Sequence, residues 1–340
     1  MGIDRLKRRE FMALIGGAVT GWPLTARSQQ TPKTYHIAIV HPSAPVYDMN
    51  ETGDNPYYSA LFKQLRRLGY VEGQNLIVAR YSGDGREERF PELCGNVVST
   101  RPDAIVTAAS RLVLSFKAAT HTIPVIASMA DPVPYGIVVS LARPGGNITG
   151  VSVEAGLEIW GKRLQVLREA IPTASRVGFL GSRQIWQLPQ INAMQENAAQ
   201  LGIAVLGPPI ESPMQEEEYR RVVSTMVHGH VDGVIVSDQL ENVTYRRLIV
   251  ELADNARLPM VFPYREQFES GGLIAYGPSL ARVYHLLAGY IDRILKGAPT
   301  SEMPIYLASK FELLINLKSA KVLGLAVPST LLARADEVIE

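Results

Sequence analysis

The sequence lacks several features that mark common classes of protein, namely disulfide-bonded, membrane-spanning and nucleic-acid-binding proteins. Cys94 is the single cysteine among 340 residues, so no intramolecular disulfide can form. After the N-terminal segment there is no run of 18 or more apolar residues, and we therefore expect no transmembrane helix. The 34 basic and 33 acidic residues nearly cancel, which leaves no positive surplus for binding nucleic acid. We interpret Cys94 as a small apolar residue inside a helix.

Motifs of common catalytic and cofactor sites are also missing. The sequence has no Gly-x-Ser-x-Gly elbow, no phosphate-binding Gly-x-x-x-x-Gly-Lys-Ser/Thr loop, and no Gly-x-Gly-x-x-Gly after the first strand. The nearest approach to a metal cluster is the pair His228 and His230, which we interpret as part of a polar loop. The sequence therefore predicts a protein that is not an enzyme and has no cofactor and no metal.

The first 28 residues have the three-part layout of a secretory signal peptide. Arg8-Arg9 precedes the uncharged stretch 13–26, which is too short to span a bilayer comfortably. Small residues at Ala26 and Ser28 suit a signal peptidase, so we predict cleavage near Ser28. The arginine pair resembles the twin-arginine export signal. An amphipathic first helix is the alternative, but the glycines and the proline of this stretch disfavour it. We therefore expect the protein to be located in the periplasm.

Beyond this segment, short apolar runs alternate with longer segments of helical period, which is typical of parallel α/β structure. The strands form two successive series. The chain also exceeds the size at which one hydrophobic core keeps growing, so two sheets are more plausible than one very wide sheet. The predicted strands are 37–41, 76–81, 104–107, 125–128, 176–180, 203–206, 233–237, 260–263, 271–276 and 311–316. The predicted helices are 56–68, 89–100, 111–120, 161–170, 187–201, 216–227, 245–256 and 280–295, with one or two more in 318–339.

Five segments carry a recognisable pattern. They are residues 67–75 (RLGYVEGQN), 131–133 (DPV), 143–152 (RPGGNITGVS), 271–278 (GGLIAYGP) and 310–318 (KFELLINLK). Together they resemble a large bacterial family of ABC-transporter substrate-binding proteins, the one that includes tryptophan- and phenylalanine-binding members. The resemblance covers essentially the whole chain after the signal peptide.

The resemblance implies a type I periplasmic-binding fold, in which two Rossmann-like lobes with parallel sheets close on a ligand like a Venus flytrap. Carried onto this chain, it assigns residues 35–151 plus 277–304 to lobe one, and 152–276 plus 305–340 to lobe two. The three hinge strands would cross near 150–152, 275–277 and 303–306, and the glycine-rich segment 145–150 leads into the first of them. The implied partners are a small-molecule ligand and an ABC permease in the inner membrane. We expect no nucleic-acid partner, no membrane insertion of the mature chain, and a monomer.

Candidate ligand contacts lie in the loops that follow the strands, because helix N-termini there present free N–H groups to anions. Each of these residues has helix capping as its alternative role, and Asp131 could form a simple turn. The loop candidates are Ser43, Thr107, Ser110, Ser128, Asp131, Ser182 and Asp238. The resemblance puts Tyr264, Glu266 and Tyr276 near the hinge, where an aromatic wall with a carboxylate would suit an amine-bearing or ring-containing ligand. Interlobe packing is the alternative for these three.

The leading functional hypothesis is a periplasmic receptor of an ABC importer that takes a small polar or aromatic amino-acid-like or carboxylate ligand. A periplasmic sensor that presents its ligand to a signalling receptor is the alternative from a different class, and an α/β enzyme is a third. Family members often carry Asn-Pro-x-x-Pro after the first strand of lobe two, whereas this chain has GSRQIW at 181–186. The ligand therefore need not be that of the characterised relatives.

Overall fold

A computed structural model describes residues 33–153 and 158–340 of the chain. The predicted signal peptide, residues 1–28, lies outside this described part. Within it, thirteen strands form two separate sheets, and we label them in chain order. They are β1 Tyr35–His41, β2 Leu76–Ser82, β3 Ala104–Ala108, β4 Val125–Met129, β5 Ile148–Ser152, β6 Arg176–Leu180, β7 Ala204–Leu206, β8 Gly233–Val236, β9 Met260–Phe262, β10 Ile274–Pro278, β11 Tyr306–Leu307, β12 Phe311–Asn316 and β13 Glu337–Ile339.

The two sheets are built mainly from parallel strands. The first has six strands in the order β11-β5-β4-β3-β1-β2, all parallel to their neighbours. The second has seven strands in the order β13-β12-β10-β9-β8-β6-β7, and only the β10–β12 pair is antiparallel. This arrangement is the predicted α/β class with two Rossmann-like sheets.

Helices connect the strands and cover the sheets. Every residue of β3, β4 and β5 is buried, as expected for parallel strands with helices on both faces. The helices are α1 Pro56–Arg67, α2 Phe90–Ser99, α3 Ser110–Ala119, α4 Ile159–Ala170, α5 Arg183–Trp186, α6 Pro189–Gln200, α7 Glu216–His228, α8 Leu240–Thr244, α9 Arg246–Ala256, α10 Arg265–Glu269, α11 Leu280–Leu295, α12 Leu317–Val322 and α13 Ser329–Leu332. In this described part of the chain, none of them combines the length and hydropathy needed to cross a membrane.

Helix α11 shows how the sequence encodes one of these elements. Its buried residues recur every three or four positions, so that they form one apolar stripe that packs with α1 in a shared core. The hydroxyl of Ser279 accepts a hydrogen bond from the N–H of Arg282 and caps the first turn. Gly297, with φ of +94°, follows the last turn, where a left-handed conformation favours glycine. The predicted bounds of this helix are confirmed.

The glycine-rich segment has a structural role that its composition alone does not reveal. Residues 148–152 form β5 of the first sheet, so the strand begins inside the glycine-rich segment. A Cβ atom on Gly150 would come within 2.0 Å of the carbonyl oxygen of Ala127 on β4, so only glycine fits. The Asn147 side chain donates hydrogen bonds to the carbonyl oxygens of Thr120 and Ile123, at 3.1 and 2.7 Å. These hydrogen bonds hold the start of β5 against the residues that precede β4.

The chain passes between the sheets three times. The first passage follows β5, the second separates β10 from α11, and the third separates β11 from β12. Because the backbone of β11 pairs with β5 in the first sheet, the third passage falls after Leu307 and not at the predicted 303–306. The division into two lobes otherwise stays a prediction. We call the side of the first sheet lobe one and that of the second sheet lobe two.

Short elements account for most of the differences from the predicted secondary structure. The sequence predicts none of β11, β13 and α5, whereas the helix predicted at 187–201 is present as α6. Helices α8 and α10, with five residues each, were also not predicted. Cys94 lies buried on α2 as a free thiol, and burial raises its pKa to about 12, which confirms its interpretation as an apolar helix residue.

Candidate functional site

A cavity of about 310 Å³ lies where the carboxyl ends of the strands of the two sheets face each other. Its lining comes from the loops after β2, β3 and β4 on lobe one and after β6, β8 and β9 on lobe two. This is the position at which open α/β sheets bind ligands. The volume is within the range of small-molecule sites, at its lower end.

The structure brings five of the ten sequence-predicted site residues together around this cavity. They are Ser110, Ser128, Ser182, Asp238 and Tyr264. The other five lie outside the lining: Ser43, Thr107, Asp131, Glu266 and Tyr276.

The lobe-one wall is built around the first turn of α3. Ala109 precedes this helix with φ of +68°, and no side chain in the described part of the chain caps its first turn. Ser110 accepts a hydrogen bond from the N–H of Ala130 at 3.2 Å, which joins the loops after β3 and β4. Ser128 is 2% exposed, and its hydroxyl makes no hydrogen bond to another described residue. Free backbone donors and a free hydroxyl can together bind an anionic group such as a carboxylate.

The lobe-two wall is built around Asp238. One carboxylate oxygen accepts a hydrogen bond from Trp160 Nε1 at 3.2 Å, and the other lies 3.3 Å from Arg163 Nη1. Arg163 is almost fully buried, and its Nε donates to the carbonyl oxygen of Tyr276 at 2.9 Å. The hydroxyl of Tyr264 donates to the carbonyl oxygen of Asp238 at 3.0 Å. Asp238 is thus held in one orientation, with its charge balanced by a cation behind it.

A second polar pair shapes the loop after β6. The Ser182 N–H donates to Gln239 Oε1 at 2.8 Å, and Gln239 Nε2 donates to the Ser182 hydroxyl at 3.0 Å. Ser182 also caps α5, because its hydroxyl accepts a hydrogen bond from the Ile185 N–H. Capping and cavity lining, which the sequence leaves as alternatives, therefore apply to the same residue.

Two predicted residues have other contacts in loops. Ser43 lies 2.8 Å from the Thr244 hydroxyl, so that it joins lobe one to α8 of lobe two instead of reaching the cavity. Asp131 accepts a hydrogen bond from the N–H of Val133 at 3.1 Å, the geometry of a turn closed by an aspartate.

Three further predicted residues are in or near the sheets. Thr107 is enclosed within β3 one residue before the strand ends, with 3% of its surface exposed. Glu266 is 3% exposed on α10, and burial raises its pKa to about 7. Tyr276 packs on Phe311 with 6.1 Å between ring centroids, and it reaches the site only through its carbonyl contact with Arg163. The side chains of these three residues are therefore in the strands and helices around the cavity and not in its lining.

Sequence reasoning missed several lining residues. Glu87 is in a 3₁₀ turn after β2, Arg111 follows Ser110 on α3, and Glu241 is on α8. Trp160 also lines the cavity, although only 1% of its surface is exposed. Extending the rule for strand-end loops a few residues further along the chain would have found both glutamates. Much of the remaining lining is apolar or aromatic, including Phe90, Leu114, Met129, Tyr135, Ile185 and Leu188.

The two lobes also contact each other through residues outside the cavity lining. The Ser212 hydroxyl donates to Glu88 at 3.3 Å, and the Met214 N–H donates to the carbonyl oxygen of Gly85 at 3.4 Å. Arg247 forms an ion pair of 2.9 Å with Asp54. These contacts join loops and helices of the two lobes directly.

The predicted polar loop with two histidines shows no metal geometry. His228 ends α7, and its Nδ1 lies 2.7 Å from the carbonyl oxygen of Ser224. Across residues 33–153 and 158–340, no group of three or more His, Cys, Asp and Glu side chains is arranged to hold a metal ion.

Two parallel-dominated sheets that face each other across one polar and apolar cleft define a type I periplasmic-binding fold. The chain belongs to the family of ABC transporter substrate-binding proteins, whose model matches residues 52–339. The resemblance inferred from the sequence is confirmed. The family is one of substrate-binding proteins and not of enzymes, as the sequence predicts.

Comparisons with individual proteins agree with this family. The chain is 22% identical over 265 residues to a tyrosine-binding protein of Clostridioides difficile, a match that covers 77% of this chain and 75% of that protein. A conserved domain protein from Vibrio cholerae has a TM-score of 0.78 at 21% identity, with 90% of this chain and 100% of that one covered. A domain from Streptococcus pneumoniae, solved in complex with L-Trp, has a TM-score of 0.76 at 22% identity, with the same coverage.

Proposed function

We propose that this protein is the exported receptor of an ABC importer and captures an amino-acid-like ligand with an apolar or aromatic side chain. The observation that carries the proposal is the opposition of two polar walls across one cavity. The free N–H groups of α3 and the Ser128 hydroxyl are on one wall, and the fixed Asp238 carboxylate is on the other. An α-amino acid presents the matching pair of groups, one anionic and one cationic.

The anionic group of the ligand is expected at the lobe-one wall. No described side chain caps the first turn of α3, and the positive end of the helix dipole favours negative charge there. Ser128 supports this assignment, because its buried hydroxyl faces the cavity without a hydrogen bond from another described residue. Binding would supply the partner that a buried hydroxyl requires.

The body of the ligand is expected among apolar and aromatic side chains. Trp160 and Tyr264 flank Asp238, while Phe90 and Leu114 come from lobe one. Such a lining accommodates a ring or a branched aliphatic group better than a sugar, whose hydroxyls would need many polar partners. The tyrosine-binding relative and the neighbour in complex with L-Trp are consistent with this choice.

A thermal-shift screen of the purified protein tests the ligand proposal. Aromatic and branched amino acids should raise the melting temperature with saturation, since they bind the folded state alone. Sugars and simple anions serve as the comparison set. If these raise the melting temperature and amino acids do not, the ligand class proposed here is wrong.

Delivery to a membrane permease and export to the periplasm are further parts of the proposal. The family membership and the predicted twin-arginine signal at residues 1–28 support both. Uptake of labelled ligand by cells with and without the gene distinguishes an importer from the alternative, a sensor that acts on a signalling receptor. Loss of uptake in the deletion supports import. Unchanged uptake with a lost transcriptional or motility response would favour the sensor.

A further inference from the structure

Two glutamates from opposite lobes line the same cavity. Glu87 is half-buried in the 3₁₀ turn after β2, and Glu241 is 6% exposed on α8. No hydrogen bond or ion pair connects the Glu241 carboxylate to any other residue within 33–153 and 158–340, and its own backbone N–H is the group that stabilises its charge. A carboxylate that is buried without a cation is costly, so this position calls for a partner.

Positive charge within the lining is insufficient for the acidic groups present. Among the described lining residues, three are acidic and Arg111 is the only basic one. Asp238 is balanced by Arg163, which lies behind it. Burial raises the pKa of Glu87, and the positive charge of Arg111 opposes this effect only in part. Arg111 forms no ion pair with Glu87 or Glu241. The uncompensated negative charge of the cavity is therefore concentrated at Glu87 and Glu241.

We infer that Glu87 and Glu241 form a cation subsite, and that the ligand carries a protonated amine held between them. The inference rests on the proposed function and specifies which residues recognise the positive group. An ammonium group offers up to three N–H donors, enough for a carboxylate from each lobe. Asp238 remains the fixed carboxylate of the lobe-two wall, but Arg163 already balances its charge, so the two glutamates supply the negative charge that the amine compensates.

The position of the two glutamates links recognition to closure. Closing the lobes without a cation brings like charges towards each other, and the negative charge of Glu87 adds to the effect of burial in raising the pKa of Glu241 to about 7. A bound amine reverses this repulsion and makes the closed form favourable. A neutral or purely anionic ligand leaves it in place, so the subsite also excludes such compounds.

The test uses three matched probe sets and titration calorimetry on the full protein. The first set is amino acids such as L-tyrosine, the second is their deaminated acids such as 3-(4-hydroxyphenyl)propanoate, and the third is their decarboxylated amines such as tyramine. The amino acid should bind at least about tenfold more tightly than its deaminated acid. In both Glu87→Gln and Glu241→Gln, the ratio of these two affinities should fall most of the way to one. In Glu92→Gln, at an exposed position on α2, the ratio should stay unchanged.

The outcomes separate the inference from the proposed function. If the amino acid binds and both glutamine variants keep the full ratio, the subsite is wrong and the proposed function stands. If amines without a carboxylate bind best and depend on Glu87 and Glu241, the subsite stands and the amino-acid proposal fails. If no compound with an amine binds, both fail. Apo melting temperatures of the two variants at or above that of the wild type show that lost affinity does not reflect misfolding.

Discussion

Arg163 lies directly behind Asp238, with its Nη1 3.3 Å from the carboxylate and only 1% of its side chain exposed. The same guanidinium reaches the carbonyl oxygen of Tyr276 on β10, a strand that leads into a passage between the lobes. A Cβ on Gly277 would come within 1.8 Å of the Pro263 carbonyl oxygen and 3.3 Å of Arg163 Nη2. The buried Arg163 guanidinium therefore contacts both the candidate site, through Asp238, and the hinge, through Tyr276.

Replacing this cation should destabilise the protein. Arg163→Met leaves the Asp238 carboxylate without its counter-charge and the Tyr276 carbonyl without a donor. We expect a loss of about 3 kcal/mol in the free energy of unfolding, measured by urea denaturation. Lys162→Met, at the exposed neighbouring position, should cost less than about 0.5 kcal/mol. Equal losses in the two variants would show that the buried pair has no special role.

The Ser128 hydroxyl gives a contrasting case, in which binding should change and stability should not. Ser128→Ala removes a group that has no hydrogen-bond partner among the described residues, so the melting temperature of the apo protein should stay nearly constant. Ligand affinity should fall about three- to tenfold, the equivalent of one lost hydrogen bond. Calorimetry with the best ligand of the screen measures this. Ser115→Ala, on the same helix as Ser110 but outside the cavity lining, provides the control.

Much of the fold could be predicted from the sequence because burial periodicity is a local signal. The strands β6 and β12 and helix α11 have the predicted bounds, since long apolar runs or stripes mark them. Two-residue β11 could not be predicted in this way, because its pairing with β5 depends on tertiary structure alone. Gly150 in β5 suggests a loop locally, while the close approach of Ala127 makes it a strand residue.

The candidate site was less predictable for a geometric reason. Residues directly after a strand, such as Ser110 and Asp238, project into the cleft. Thr107 and Ser43 satisfy the same rule in sequence, but the first is enclosed in the sheet and the second is at the contact between lobes. Glu241 lies further from its strand and reaches the cavity because a short helix turns it inward. Side-chain direction of this kind depends on loop geometry that residue types do not encode.

Buried carboxyls should make the stability of the apo protein depend on pH. Burial raises the pKa of both Glu241 and Glu266 to about 7, so the folded state keeps protons that the unfolded chain releases near pH 4.5. Their stabilising contribution is present below pH 4.5 and is lost as pH rises through 7. The contribution of His41 depends on pH in the opposite direction. Burial lowers the pKa of His41 to about 3, so its stabilising contribution is lost as pH falls.

Differences between variants isolate each carboxyl from the effect of His41. Relative to the wild type, Glu241→Gln and Glu266→Gln should each gain on the order of 1–3 kcal/mol of unfolding free energy between pH 4.5 and pH 7.5. Urea denaturation at several pH values provides the measurement. Only Glu241→Gln should also lower the affinity for an amine-bearing ligand, because Glu266 lies outside the cavity lining. A difference that stays constant with pH would contradict the shifted pKa.

Gly85 offers a test of the contact between the lobes. It has φ of +72°, and a Cβ there would lie 3.1 Å from the carbonyl oxygen of Met214 on lobe two. Gly85→Ala should therefore cost about 1 kcal/mol in backbone strain and, in addition, hinder closure. We expect weaker ligand binding and a larger radius of gyration with ligand by small-angle scattering.

Gly73→Ala is the matched control, because Gly73 has a similar φ of +80° and no atom within 4 Å of its Cβ position. This control should lose comparable stability while it binds and closes like the wild type. If both variants bind equally well, the contact between Gly85 and Met214 does not contribute to the closed form.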